Sequence, residues 1–591
     1  MAEQEGSDYR SMEADQASGK KGGGSGAIIA VVIILIIVAA LGYFLLTKKP
    51  GGGGAPEMGT SMEILPEKCV MLLQVDTRKM AEKAKREEIL SKLKESAAYK
   101  EMTEKLQKEN NINFEQDIMS WLGEQVVISF FEVPPPPENP GQKPDTSKYN
   151  FVVVLDVKDL NAAQAKVKEL LAKESSKYKE DKYENVTIWV PSTPNTPTLS
   201  FIKGLFVMGN TTDDVKKCID ASLKKGPTLK DNANFKSIVS KLPGDAMGIF
   251  YMDMQAVIAS GEKMAPMGKT AGTNPEEDKL KKAFTGFGFG LSYKDGDFIG
   301  QGLLGINKSS DSAFVKALYE TKPTMGAPAS LKLFPADTSM YNAVDAKLLY
   351  TVLTKYAATM PGGAENLEES KKKIQDNMGV DLDKDIIGNL SGELAYGIDL
   401  QQFLQSVMMS RQGQKSPYPM VLSAKVTDKK AFEEVIGKIV AKMPIKLAKE
   451  DADGASFYKI PNTGRLGVYN DFFILATGQG DAALTTILEN KMDEAKSLAT
   501  DPGYKKIASK IGPNTFSVSG VKLDKILPMI KMVVGFAAAK DPKQAQQAQD
   551  FITEMEKYDS VWSYTEIVDN GFKFEFVVSK KADNAGKTET K

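Results

Sequence analysis

Sliding the chain along itself by about 268 residues brings five segments into register, and a duplication of that size constrains the fold more than any other feature. Ile64 to Lys79 aligns with Leu333 to Leu348, each a Pro-containing start, an apolar run, an Asp and then a helical pattern. Ile112 to Phe130 aligns with Val380 to Ile398 once one residue is inserted, which matches Asp117 with Asp385 and Glu124 with Glu393. Phe151 to Val167 parallels Met420 to Ile436, with Asp159 and Asp428 as expected helix N-caps. Leu205 to Ile219 and Asn234 to Met254 pair with segments starting at Phe472 and Gly503. Each copy ends in two alternating runs around a tight turn, at Asp295-Gly296 and at Asp569-Asn570-Gly571, a signature of antiparallel hairpins. The expected fold class is therefore α+β: two homologous α+β repeats with largely antiparallel sheets, following an N-terminal single transmembrane helix.

That helix is read from Ala27 to Leu46, twenty residues without a charge, enough to cross a hydrocarbon core of about 30 Å. Lys48 and Lys49 follow it directly and no small-residue cleavage site appears, so the run reads as an uncleaved signal anchor. The expected organisation is a disordered cytoplasmic tail over 1–26, the span over 27–47 and a Gly-rich linker over 48–61. The first repeat then covers 62–310, a connector 311–330, the second repeat 331–580 and a polar tail 581–591. This places the chain in the inner membrane as a single-pass protein with its bulk extracytoplasmic.

Composition removes whole classes of chemistry. The chain has no histidine, which excludes Ser-His-Asp and Cys-His nucleophiles, zincin motifs and most transition-metal sites. Its two cysteines, Cys69 and Cys218, are too few for a structural zinc or an iron-sulfur cluster and read as buried free thiols. Only five arginines occur, Arg10, Arg78, Arg86, Arg411 and Arg465, so bidentate readout of phosphates or guanine is poorly supplied and nucleic acid is not an expected partner.

Individual motifs fare no better. The alternation Gly286 to Gly290 lacks the helix a phosphate loop needs, and reads as room for a close neighbour. Thr477 to Asp481 lacks the Lys and Ser/Thr of a P-loop, and Ser91/Lys94 sits in a charged helical pattern. The recurring carboxylates Asp117/Asp385 and Glu124/Glu393 read as caps and strand-edge charges rather than an acid-base pair or a calcium site. No catalytic, metal or cofactor residue is assigned.

The Leu-Pro opening before a strand ending in Asp, the Asp-Ile-x-x-x-Leu-Gly-Glu element at Asp117 to Glu124, the strand-helix through Val157-Lys158-Asp159 and the N-terminal anchor together resemble the bacterial envelope family catalogued as domain of unknown function 3352. The resemblance implies a membrane-anchored, exported bacterial protein and carries no activity with it. The expected function is that of a membrane-tethered binding or scaffold protein of the cell envelope, partnered by the membrane through one helix and by an envelope protein or lipid. The alternative is a His-free hydrolase or a lipid or hydrophobic-ligand carrier using a groove between the repeats.

Overall fold

The computed structural model describes residues 59–582, apart from 80–98, 101–102, 105–106, 109–111, 133–148, 174–176, 194–195, 265–273, 401–402, 404–405, 407–418, 453, 462–463, 479, 539–547 and 550–551. Strands alternate with helices throughout. In the first half lie β1 (Met71–Asp76), β2 (Leu122–Phe130), β3 (Phe151–Val157), β4 (Tyr178–Tyr183), β5 (Val186–Pro191), β6 (Thr198–Ile202), β7 (Leu205–Gly209), β8 (Gly248–Met252), β9 (Phe284–Lys294) and β10 (Asp297–Ile306). The second half holds β11 (Met340–Asp345), β12 (Leu390–Ile398), β13 (Met420–Val426), β14 (Ala448–Ala452), β15 (Ala455–Ile460), β16 (Gly464–Tyr469), β17 (Phe472–Thr477), β18 (Thr515–Lys522), β19 (Tyr558–Val568) and β20 (Gly571–Lys580).

All strand pairings among the described residues are antiparallel. From one edge the first half runs β4, β5, β6, β7, β3, β2, β1, β8, β9, β10. The sheet then continues without a break through β20, β19, β18, β11, β12, β13, β17, β16, β15 and β14. The joint is β10 on β20, which pairs Phe298 to Gly305 with Val578 to Gly571.

This corrects the expected fold class: the twenty strands among the described residues form one sheet, not two repeats each with its own. The physical cause is at the joint. The final hairpin of each half offers an unpaired apolar edge, and each edge satisfies its backbone groups on the other. Gly300 and Gly302 of β10 leave room for the rings of Phe576 and Phe574, whose atoms lie 2.3 Å and 2.1 Å from where a Cβ would stand. Phe289 of β9 stacks on both phenylalanines across that gap, with ring centres 5.8 Å and 6.3 Å apart. Two core clusters also combine residues of both halves, Tyr293 and Phe298 with Leu527 and Tyr558, and Ile306 and Val315 with Val352 and Ile567.

Helices cover both faces. Period-two alternation puts Leu73, Ile128 and Val153 on one face, under helix Leu160–Lys173, and Leu72, Val127 and Val152 on the other, under helices Thr212–Ser222 and Ala233–Val239. Helices Lys429–Ala441 and Gly480–Asn490 take the two faces of the second half. The outer strands β4 and β14 carry Lys179-Glu180-Asp181-Lys182 and Lys449-Glu450-Asp451, charge that discourages further edge pairing.

Among the described residues no helix is long and apolar enough to cross a membrane. The expected span with its ends at Ala27 and Leu46 lies outside the described residues. The single-pass, signal-anchor topology and the inner-membrane localisation rested on that span and on the family resemblance, and are corrected with the fold class: the described chain is a helix-covered antiparallel sheet, none of whose described helices is long and apolar enough to cross a membrane.

Candidate functional site

A polar recess forms where β1 meets β2. Asp76 ends β1 and faces Gln125 across the register, beside an irregularity in the β2–β3 pairing between Leu122 and Val126. The Asp76 carboxylate is 2% exposed, and a short 3-10 turn, Thr77–Lys79, brings Arg78 back over it. Arg78 donates from Nε to Oδ1 at 2.8 Å and from Nη2 to Oδ2 at 2.7 Å, a bidentate fork, with its backbone N–H adding 3.1 Å to Oδ1. That carboxylate holds the guanidinium above its usual pKa, and Asp156 and Glu124 add to the effect.

Gln125 is buried, accepts from Ser61 Oγ at 3.0 Å and points its amide nitrogen at Asp76 from 3.5 Å. Lys79 donates from Nζ to the Gly244 carbonyl at 2.8 Å. Asp156 of β3 leans over Gly123, where a Cβ would stand 2.6 Å from the carboxylate, so only glycine admits it. These groups, with Gly59, Thr60 and Leu205, line a cleft of about 400 Å³. Its described lining holds two carboxylates, a guanidinium, an ammonium and an amide, and among the described residues no nucleophile with an adjacent base. Such a lining binds and orients polar groups.

The same place in the second half is filled. Asp345 ends β11 opposite Glu393 of β12, as Asp76 ends β1 opposite Gln125. Asp345 is wholly buried and accepts from the Thr324 N–H and hydroxyl, from the Met325 N–H at 3.0 Å and from the Leu348 N–H at 2.9 Å. Glu393 accepts from the Ala329 and Ser330 N–H groups at 2.9 Å and 2.8 Å. Burial raises its carboxyl pKa despite those donors. The stretch Thr324 to Ser330 thus lies across the β11–β12 pair as a bound peptide would. In the first half the described residues at that place, Gly59 and Thr60 among them, line the cleft.

The remaining sequence candidates are structural. Asp117 accepts from the Asn113 N–H at 2.7 Å and pairs with Lys166 at 2.8 Å; Asp385 accepts from the Asp381 N–H at 3.0 Å and meets Lys438 at 3.6 Å. Each closes a one-turn π-helix, Phe114–Met119 or Leu382–Ile386. Asp159 and Asp428 cap their helices through the Ala162 and Ala431 N–H groups, both at 3.0 Å. Gly288 admits helix Ala233–Val239, with Ile238 2.2 Å from a Cβ there. Cys69 and Cys218 are free and buried. Ser91 and Lys94 lie outside the described residues. Of the expected recurring pairs, Glu124 and Glu393 are not equivalents: the register puts Gln125 at the position of Glu393. Arg78 was missed by motif reading, and its one signal is rarity, an arginine two residues after a strand-ending Asp in a lysine-rich chain.

No curated protein matches the chain. Solved structures give slight likenesses: crystal forms I, III and IV of TP0453 share 9%, 10% and 11% identity, with TM-scores of 0.22, 0.23 and 0.24. These alignments cover 45%, 44% and 42% of this chain and 85%, 85% and 80% of the other, and at such scores they carry no argument. The family described as Protein of unknown function (DUF3352) matches residues 27–443, more than half of the chain, and the chain belongs to that family.

Proposed function

We propose that this is a non-catalytic binding protein, a rigid sheet scaffold that holds a small polar ligand in the Asp76–Arg78 cleft. The observation that carries the reading is the contrast between the halves: the strand-end carboxylate is sealed by chain at Asp345 and borders an open recess at Asp76. A buried carboxylate gripped by a bidentate arginine is a preorganised wall, costly to build and stiff once built. The competing reading, a His-free hydrolase or carrier of apolar ligands between the halves, asks for a pKa-shifted carboxyl or lysine in an open groove. Burial raises the carboxyls of Asp214, Glu393 and Asp559; Glu393 spends both oxygens on backbone N–H groups, and Asp214 is held by the Thr211 hydroxyl and Lys217. The joint itself is paired strand and stacked rings.

Thermal denaturation of the purified chain against a panel of amino acids, dicarboxylates, sugar phosphates and polyamines tests this. A ligand that binds only the folded state stabilises by about 2.7 kcal/mol at a hundred times its Kd. At least one class is expected to raise Tm saturably, and less so in Asp156→Asn. A panel that leaves Tm unmoved throughout refutes the proposal.

A further inference from the structure

We infer that Lys322 to Ala329 is a strap that opens as a unit while the sheet beneath it stays intact, a lid over the buried Asp345–Glu393 pair. The inference is independent of the ligand proposed for the Asp76 cleft.

The first ground is how the strap is held. Among the described residues no backbone–backbone hydrogen bond reaches Lys322 to Ala327. The segment hangs instead on two side chains. Asp345 accepts from the Thr324 and Met325 N–H groups and from the Thr324 hydroxyl, and Glu393 accepts from the Ala329 and Ser330 N–H groups. Both carboxylates belong to the sheet. Asp345 and Glu393 face each other in the register of β11 and β12, and Asp345 also caps helix Ala346–Ala357 through the Leu348 N–H. Departure of the strap therefore breaks no strand pairing, and the two carboxylates, costly to keep from water, gain hydration as it leaves.

The second ground is what surrounds it. Lys322, Thr324 and Ala327 are exposed. Gly326, at φ +60°, has no atom within 4 Å of where a Cβ would stand, so the crest of the strap touches nothing there. The stem, Thr321 to Pro323, borders a recess of about 320 Å³ toward Ile567 and Asp569, which leaves it room to swing. The closed position is nevertheless specific. Met325 is buried in the core cluster of the second half, and Gly392, at φ +119°, gives Thr324 its seat: a Cβ there would stand 2.0 Å from the Thr324 Oγ1. A segment bonded through side chains, exposed along its crest and bordered by open space belongs to the low-stability end of a fold, where local opening precedes global unfolding. Closed, the strap fills the strand-end position of the second half; open, it uncovers two carboxylates.

Hydrogen exchange of the full chain, read by mass spectrometry with fragmentation to single residues, tests this. In wild type the Thr324, Met325, Ala329 and Ser330 N–H groups are expected to exchange at least about tenfold faster than the amides of β11 and β12, with little response to low urea, the mark of an opening that exposes little surface. Thr324→Val, nearly isosteric, removes only the hydroxyl bond to Asp345 and is expected to speed those four amides by about tenfold while β11 and β12 keep their protection. Glu393→Gln, which loses an acceptor oxygen for the Ala329 or Ser330 N–H, is expected to do the same. Strap amides that exchange in wild type together with β11 and β12, at one rate and with one urea dependence, overturn the inference. So does a Thr324→Val protein whose strap exchanges no faster than wild type. Neither result touches the binding function at Asp76.

Discussion

Gly571→Ala is the substitution that most directly tests whether the two halves share one sheet. Gly571 opens β20 with φ near +137°, and a Cβ there would stand 1.9 Å from the Leu304 carbonyl oxygen and 3.0 Å from the Ile306 nitrogen, both of β10. Neither atom belongs to a flexible side chain, so the strands must part. A non-glycine residue in this backbone region costs about 1–3 kcal/mol, and losing the 2.8 Å bond from Ile306 N–H to the Asn570 carbonyl adds about 0.5–1.5 kcal/mol. The expected destabilisation is about 2–4 kcal/mol. Gly204→Ala is the matched control: φ is +81°, nothing lies within 4 Å of its Cβ position, and only the backbone cost applies, about 1–2 kcal/mol. Urea titration ranks the two variants, and hydrogen exchange read by mass spectrometry reports protection of Phe298 to Ile306 and Gly571 to Lys580 separately. Protection is expected to fall in both strands of Gly571→Ala and in neither strand of Gly204→Ala. A Gly571→Ala protein no less stable than the control, with β10 still protected, refutes the pairing of β10 with β20.

Arg78→Met leaves the Asp76 carboxylate buried without its cation and is expected to lower stability by about 3–5 kcal/mol, most of it recovered in Asp76→Asn/Arg78→Met; an unchanged urea midpoint for the single variant sinks the bidentate account. Glu393 has its folded pKa raised above the ordinary 4.5, so the stability it contributes is fully present below that value and is lost as pH rises through the folded pKa. The stability of wild type relative to Glu393→Gln is therefore expected to fall with rising pH in the window just above 4.5, and a flat difference in Tm across it contradicts this. Burial pushes the Cys69 thiol up to about 12 and raises Cys218 as well, so a disulfide reagent is expected to modify neither in the native protein and both in denaturant. Gly288→Val, aimed at Ile238, is expected to cost at least about 1–3 kcal/mol by urea titration; a stability equal to wild type contradicts the close approach of helix and strand.

What the sequence discloses and withholds follows the range of each interaction. Asp159 and Asp428 are legible because a cap bonds three residues ahead of itself. The glycine row in β9 is legible as spacing, since period-two absence of side chains already implies something close above it. Strand register is another matter. The inserted residue that matched Glu124 with Glu393 displaced the pairing by one position, and a one-residue slip on a strand moves a side chain to the opposite face. That slip hid the correspondence of Gln125 with Glu393, and with it the contrast between an open and a sealed strand pair on which the proposed site rests. The continuous sheet was hidden more deeply: β10 and β20 join residues about 270 positions apart, and each hairpin is locally complete without the other. Their sequences carry a sign of the joint only in combination, glycines at 300 and 302 on one strand and phenylalanines at 574 and 576 on the other, complementary shapes that mean nothing until laid side by side. Arg78 sits between these extremes. Its fork onto Asp76 spans two residues, yet nothing in Asp-Thr-Arg distinguishes a buried pair from a solvated one, and only the closure of β2 over Asp76 turns a common dipeptide spacing into the wall of a cleft.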